Sequence, residues 1–168
     1  SNYGIIDDKK NYEEKNLPFK VKYVDGFSML LNKNKFENNN YFDESFFMYW
    51  ENNDICIRVI NDGGSVFIVP KAKIKHLGAK AVDPKFFKEI ELSRNWHWMW
   101  STFNYHRKYK GFFISLLIVL PKLISAIIKI LIYTLIFNKE KKKIYYQRLS
   151  GLINAIMGKS SWYRPKIY

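Results

Sequence analysis

The sequence lacks the cysteine pairs that form disulfides in small secreted proteins. It also lacks the closely spaced cysteines and histidines of compact metal-binding modules. Cys56 is its one cysteine, so no disulfide can form within the chain, and we expect a reducing compartment. No His-x-x-x-His or Cys-x-x-Cys spacing occurs, which excludes the common local metal motifs. The polar start, SNYGIIDDKKNYEEKN, does not predict a signal peptide, and the absence of an initiating methionine indicates a fragment or a processed chain.

Acidic residues are scarce in the last third of the chain. Residues 107–168 hold 13 lysines and arginines against Glu140 alone, whereas residues 1–106 hold 15 against 14 acids. Almost all of the net charge of +13 therefore lies in the second segment. This asymmetry favours an anionic partner, either nucleic acid or the anionic surface of a membrane.

The chain is otherwise rich in the hydrophobic and aromatic residues that form a protein core. Hydrophobic residues make up 48% of its 168 residues and aromatic residues 18%, which excludes a disordered chain and suits one domain. Periodicity and turn residues predict the secondary structure. The predicted elements begin with an extended segment at 20–33, broken at Gly26 and containing a buried strand at 29–31. A helix at 50–61 ended by Gly63 and Gly64, a strand at 65–70, an extended segment at 72–78 and a helix from Asp83-Pro84 to Lys110 follow.

Residues 112–137, FFISLLIVLPKLISAIIKILIYTLIF, are almost wholly apolar and exceed the ~20 residues that cross a bilayer. Pro121 is expected to interrupt this run. Four polar residues recur in its second half at helical spacing, as Lys122, Ser125, Lys129 and Tyr133. We therefore predict a helix or helical hairpin that lies in the membrane interface, with a transmembrane span and a buried core helix as the alternatives.

The basic cluster NKEKKK, residues 138–143, follows this run directly and is predicted to face lipid phosphates. Trp162 and Tyr163 are expected to act as aromatic anchors. A nucleic-acid-binding arm gains nothing from 26 apolar residues, so the predicted anionic partner is a membrane surface and not nucleic acid. The predicted location is the cytoplasmic face of the cell membrane.

Two carboxylates, Glu51 and Asp54, stand behind a run of aromatic residues and share one face of the first helical turn. They can complement the helix dipole, worth ~0.3–1 kcal/mol, or one of them can act as a general base. His76 follows an extended segment and is either a structural residue or part of a site. Residue chemistry alone leaves these alternatives open.

Four blocks occur in order with short spacings: VDGFSMLLNK, FDESFFMYWENNDICIRV, SVFIVPKAKIKHLG and ELSRNWHWMWSTFNYHRKYKG. Together, over about residues 20–111, they resemble the second half of the inverting glycosyltransferases of family 2, which have the GT-A fold, and especially their bacterial rhamnosyltransferase-like branch. The apolar, basic tail is similar to the membrane-associating C-termini of many members.

The resemblance implies an α/β fold, the C-terminal part of a Rossmann-like GT-A domain. It divides the chain into an acceptor-side portion at 1–110 and a membrane-associating helical tail at 111–168. The implied enzyme is a hexosyl- or rhamnosyl-type glycosyltransferase of cell-surface polysaccharide synthesis, with a nucleotide-sugar donor and a glycan or lipid-linked acceptor. The Asp-x-Asp motif and a Gly-rich phosphate loop are missing, so we expect this chain to be inactive alone. The alternative is a non-catalytic membrane-surface or partner-binding module.

The resemblance also implies roles for individual residues. Glu51 and Asp54 match the first and last acids of the block that supplies the general base. Asn52 stands where the family has the middle acid, and since an amide cannot accept a proton at neutral pH, Glu51 is the predicted base. His76 matches a ligand of the divalent metal, Mg²⁺ or Mn²⁺, on the donor diphosphate. The implied substrate-binding residues are Asp25, Gly26, Trp50, Asn52, Arg94 and His97, and Arg107 and Lys108 fall where the family contacts diphosphate or membrane.

Overall fold

The computed structural model describes residues 16–36, 41–75 and 82–166. The chain forms two compact units: unit 1 comprises Ser1–Asp43 and Glu51–Gly78, and unit 2 comprises Glu44–Trp50 and Ala79–Tyr168. The boundary expected between residues 110 and 111 falls within unit 2 and stays a prediction.

Among its described residues, unit 1 combines a small sheet with one α-helix and a 3₁₀ turn at Lys33–Lys35. Strand β1 (Phe19–Val21) pairs antiparallel with β2 (Val66–Ile68), so that Lys20 lies opposite Phe67. Helix α1 (Glu51–Asn61) buries Asp54, Ile55 and Cys56. It ends where Gly63 adopts a φ of 79° and the Gly64 N–H donates to the Val59 carbonyl at 2.8 Å, a left-handed stop that glycine permits without strain.

Unit 2 is a three-helix arrangement. Its helices are α2 (Phe87–Lys110), α3 (Phe112–Leu135) and α4 (Lys139–Ile156), and α2 packs against both of the others. Asp83 caps the short 3₁₀ turn before α2 by accepting from the Lys85 N–H, and Asn138 caps α4 in the same way. The cap at Asp83 agrees with the helical start that the sequence predicts there, whereas the start at Asn138 was not predicted.

The prediction of an α/β GT-A domain is wrong. The structure is 59% helical, and the sheet that its described residues form has only two strands. A Rossmann-like domain needs several parallel strands joined by crossover helices. The strand expected at residues 29–31 does not form, and Leu30 is fully exposed, because a short apolar run becomes a strand only where a partner strand is available.

Helix α2 is buried on more than one side. Trp96 and Phe103 are fully buried, and so are His97 and Ser101. Helical spacing in the sequence predicts that these last two share a polar stripe with Arg94, Asn104 and Lys108. The Ser101 hydroxyl donates to the Met48 carbonyl at 2.7 Å, which satisfies it inside unit 2. The stripe is therefore part of the core at these two positions.

Helix α3 is continuous through Pro121, so the expected interruption and the hairpin within residues 112–137 do not occur. It is long and apolar enough to cross a membrane, and only 17% of its most apolar stretch is buried. The exposed side chains of α3 are apolar except that of Thr134, and they include Leu117, Ile124 and Leu131. The polar residues of its second half, such as Lys129, instead lie on the side that faces α4. There the Lys129 ammonium donates to the Tyr145 hydroxyl at 3.0 Å.

Candidate functional site

The start of α1 lies against the loop that carries Asp25 and Gly26. The Asn52 amide donates to the Val24 carbonyl at 3.0 Å. A Cβ placed on Gly26 would lie 3.3 Å from Asn52 Cβ and 4.0 Å from Glu51 Oε1. The structure therefore brings Gly26, Glu51 and Asn52 together in unit 1, with exposed Asp25 next to them in the chain.

Glu51 has the environment of a proton acceptor. Its Oε2 is buried without a hydrogen-bond partner among the described residues. Burial raises the pKa of the Glu51 carboxyl above its usual range, an effect that its own backbone N–H partly offsets. A carboxylate whose pKa is raised is a better general base near neutral pH, and an oxygen without a partner keeps its capacity to accept a hydrogen bond from a hydroxyl.

Asp54 lies one turn further along α1 and is fully buried. Its Oδ2 accepts from Arg58 Nε at 2.9 Å, and the same guanidinium donates to the Tyr41 carbonyl. Because Arg58 occupies Oδ2, this oxygen is not available to accept from a substrate hydroxyl. The contacts suit Asp54 to ordering the segment around Tyr41.

Two strained residues precede Glu51 in the chain. Tyr49 and Trp50 have φ values of 68° and 69°, a left-handed conformation that costs side-chain-bearing residues about 1–3 kcal/mol each. Contacts within unit 2 hold them: the Trp50 indole donates to Thr102 Oγ1 at 3.1 Å, and Arg94 Nε donates to the Tyr49 hydroxyl at 2.9 Å. Trp50 is thus a buried anchor, while Arg94 is exposed. Their roles in substrate binding stay predictions.

His97 lies in the core of unit 2. Its Nε2 is 2.7 Å from the Tyr163 carbonyl, so this nitrogen carries the proton and donates. Burial lowers the pKa of the His97 imidazole, the Tyr163 carbonyl opposes this, and the Arg164 charge lowers it further. The neutral ring joins α2 to the C-terminal segment, which gives the substrate-binding prediction no support.

Trp162 and Tyr163, expected to anchor in a membrane, contact Trp96 instead.

A cavity in unit 2 has a volume of about 280 Å³ and is cationic. Ser45, Phe46 and Asn104 line it together with Arg107 and Lys108. The sequence singles out the two cations, but Ser45 and Phe46 are missed because no local pattern shows that they meet α2. Cations in a small polar cavity suit a phosphate group.

The predicted metal ligand His76 lies outside the described residues. Within residues 16–36, 41–75 and 82–166, no group of three or more His, Cys, Asp or Glu side chains is placed to hold a metal ion. The divalent cation therefore stays a prediction that depends on His76.

No protein-family model, curated protein or solved structure significantly matches this chain. The resemblance to family 2 glycosyltransferases thus depends on the four sequence blocks quoted above, and no family membership follows from the comparisons.

We expect Glu51→Gln to stabilise unit 1 at neutral pH. A carboxyl whose folded pKa is raised contributes stability below its unfolded pKa and loses it as pH rises through the folded value. The amide removes the cost of a buried, unpartnered charge, about 1 kcal/mol, so the melting temperature should rise by ~2–4 °C at pH 7 and by less at pH 4.

Thermal unfolding followed by circular dichroism between pH 4 and 8 measures this difference. Glu44→Gln, the same change at an exposed carboxyl, is the control and should alter little. A Glu51→Gln variant that is less stable at pH 7 would show that Glu51 acts mainly on the helix dipole.

Proposed function

We propose that this chain supplies the acceptor side of a membrane-associated glycosyltransferase, which transfers a sugar from a nucleotide-sugar donor to a hydroxyl of a glycan or lipid-linked acceptor with inversion. The observation that carries the proposal is the Glu51 carboxylate, half-buried at the start of α1 with one oxygen unpartnered in the described part of the chain. Its position in a sequence block that resembles the family's catalytic block supports the same role.

In the proposed reaction, Glu51 accepts the proton of the acceptor hydroxyl. The resulting nucleophilic oxygen attacks the anomeric carbon on the face opposite the nucleoside diphosphate. The carbon–oxygen bond to the diphosphate breaks as the new glycosidic bond forms, which inverts the anomeric configuration. One carboxylate is sufficient as base, because the leaving diphosphate needs no proton at neutral pH.

Neighbouring groups have supporting roles in this proposal. The Asn52 amide, through its bond to the Val24 carbonyl, holds the loop of Asp25 and Gly26 at the base, where a sugar hydroxyl can be oriented. Arg58 pairs with Asp54 and occupies one of its carboxylate oxygens, so Asp54 is assigned no part in the proton transfer.

The membrane part of the proposal depends on α3. An uncovered apolar helix of 24 residues is costly in water, at ~25 cal/mol for each Å² of apolar surface, and lipid removes that cost. With Lys139 and Lys141–Lys143 in the first turns of α4, we place the chain on the anionic cytoplasmic face of the cell membrane.

The test is a transfer assay with the polypeptide as the cell produces it, reconstituted into vesicles. Labelled nucleotide sugars and lipid-linked acceptors are supplied, and nuclear magnetic resonance reads the anomeric configuration of the product. We expect the label to move to the acceptor with inversion. A product with retained configuration, or no transfer with any donor, would contradict the proposal.

The second candidate, a non-catalytic membrane-surface module, is favoured by Asn52 in place of an acid and by the exposed α3. It predicts membrane binding without transfer in the same assay. Flotation with the vesicles before and after a salt wash separates the two modes of attachment, since apolar contact survives high salt and surface charge does not.

A further inference from the structure

A small cavity lies between the three helices of unit 2, on the side of α3 that faces the protein. Its volume is about 230 Å³. The lining comprises Trp98 from α2, Pro121, Lys122 and Ser125 from α3, and Tyr145 and Arg148 from α4, among others, with no acidic side chain. A cavity with two cations and no carboxylate is suited to an anion.

Arg148 is held in place at this cavity. Its Nε donates to Asn95 Oδ1 at 2.6 Å, and its guanidinium carbon lies 5.1 Å from the centre of the Tyr145 ring. The other guanidinium N–H groups have no hydrogen-bond partner within the described ranges. A guanidinium that is fixed at one nitrogen and open at the others loses little rotamer freedom when it binds an anion.

A third cation reinforces the positive potential. The Lys129 ammonium donates to the Tyr145 hydroxyl and lies 4.8 Å from the centre of that ring. Burial lowers the pKa of the His106 imidazole, and the charges of Lys110 and Lys122 lower it further. Such a concentration of cations beside an apolar helix is stabilised by an anionic ligand.

The cavity reaches the surface beside an apolar face. Pro121 lines it and is itself exposed. Leu117 and Ile124 lie four residues before and three after Pro121, so they share its side of α3, and both are exposed. A ligand held at Lys122 and Arg148 that carries hydrocarbon chains can therefore lay them on this face.

We propose that the cavity binds the phosphate of an anionic membrane lipid, with the phosphate between Lys122 and Arg148 and the acyl chains along the exposed face of α3. The cavity is smaller than the ~300–1,000 Å³ of pockets for drug-sized ligands, so it suits a headgroup and not a nucleotide sugar. This site is separate from Glu51 and does not depend on sugar transfer. Its role is to hold the helices of unit 2 at the membrane surface.

The test counts lipids bound to the purified chain in detergent by native mass spectrometry, with phosphatidylglycerol and phosphatidylcholine as the probes. We expect one phosphatidylglycerol per chain and at least ten-fold weaker retention of phosphatidylcholine. The variant K122Q/R148Q should retain phosphatidylglycerol at least ten-fold less well. The control K142Q/K143Q removes two exposed charges from α4 and should bind within two-fold of the unaltered chain.

Three results would overturn the proposal. Equal losses in both double variants would indicate diffuse surface attraction, and no loss in either would leave the cavity without a role. Displacement of the lipid by millimolar inorganic phosphate would indicate a site for the free anion. If K122Q/R148Q fails to fold by circular dichroism, Ser125→Glu adds a carboxylate to the cavity without touching the Arg148–Asn95 bond, and the same ten-fold loss is expected.

Discussion

Glu51→Gln, made in the polypeptide as the cell produces it, should reduce sugar transfer by about 10²–10⁴-fold, the usual contribution of a general base, while donor binding stays unchanged. The amide keeps the shape of the side chain but cannot take a proton from the acceptor hydroxyl. The loss should appear in kcat, because the base acts in the transition state and not in binding the donor. Initial rates of labelled sugar transfer, together with direct titration of the nucleotide sugar, separate the two quantities.

Matched variants make this result specific to the base. Glu44→Gln is the same chemical change seven residues earlier, at an exposed carboxyl in the same aromatic block, and should leave transfer within two-fold. Asn52→Asp restores the acid of the resembled family and should retain activity whether or not it shares the base role. Unchanged turnover in Glu51→Gln would remove Glu51 from the reaction and favour the non-catalytic module.

Gly151→Ala should destabilise unit 2 by about 3 kcal/mol, although alanine is normally the better helix former by ~1 kcal/mol. A Cβ at this position would lie 2.3 Å from the Trp96 carbonyl oxygen and 3.0 Å from its carbon. Both atoms belong to the backbone of α2, so the clash is relieved only if α2 and α4 move apart. Trp96, Leu152 and Ala155, all fully buried, would lose contacts.

The measurement is thermal unfolding in detergent, where a fall of ~6–12 °C in the melting temperature corresponds to this loss for a chain of this size. Lys142→Ala, at an exposed position of the same helix, should change stability by no more than ~0.5 kcal/mol. An unchanged or higher melting temperature for Gly151→Ala would show that the two helices do not cross closely at this glycine.

The sequence alone predicts the elements whose boundaries depend on neighbouring residues. The helix expected at 50–61 is α1, Glu51–Asn61, and the start at Asp83-Pro84 and the end before Gly111 agree with the turn and helix observed there. Capping oxygens, proline at a first helical position and glycine with positive φ act over a few residues. Their effect can therefore be read without knowing the fold.

The candidate site was predicted only in part. Glu51, Asn52 and Gly26 were named from the sequence and lie together, but the unpartnered Oε2 of Glu51 depends on how much water the surrounding chain excludes. His97 shows most clearly what local spacing in the sequence cannot predict. Its spacing on a polar stripe looks like that of a binding residue, yet 66 positions separate it from the Tyr163 carbonyl that holds it in the core.

What the sequence determined by itself is local and compositional: the helix ends, the acidic pair at the start of α1, and an apolar helix long enough to cross a membrane. Tertiary structure alone decided the number of strands, the burial of His97 and the side of α3 that meets the protein. The reason is that hydrogen bonds in caps and turns join residues a few positions apart. Strand pairing and burial depend on contacts between residues far apart in the chain, and a local sequence pattern does not predict such contacts.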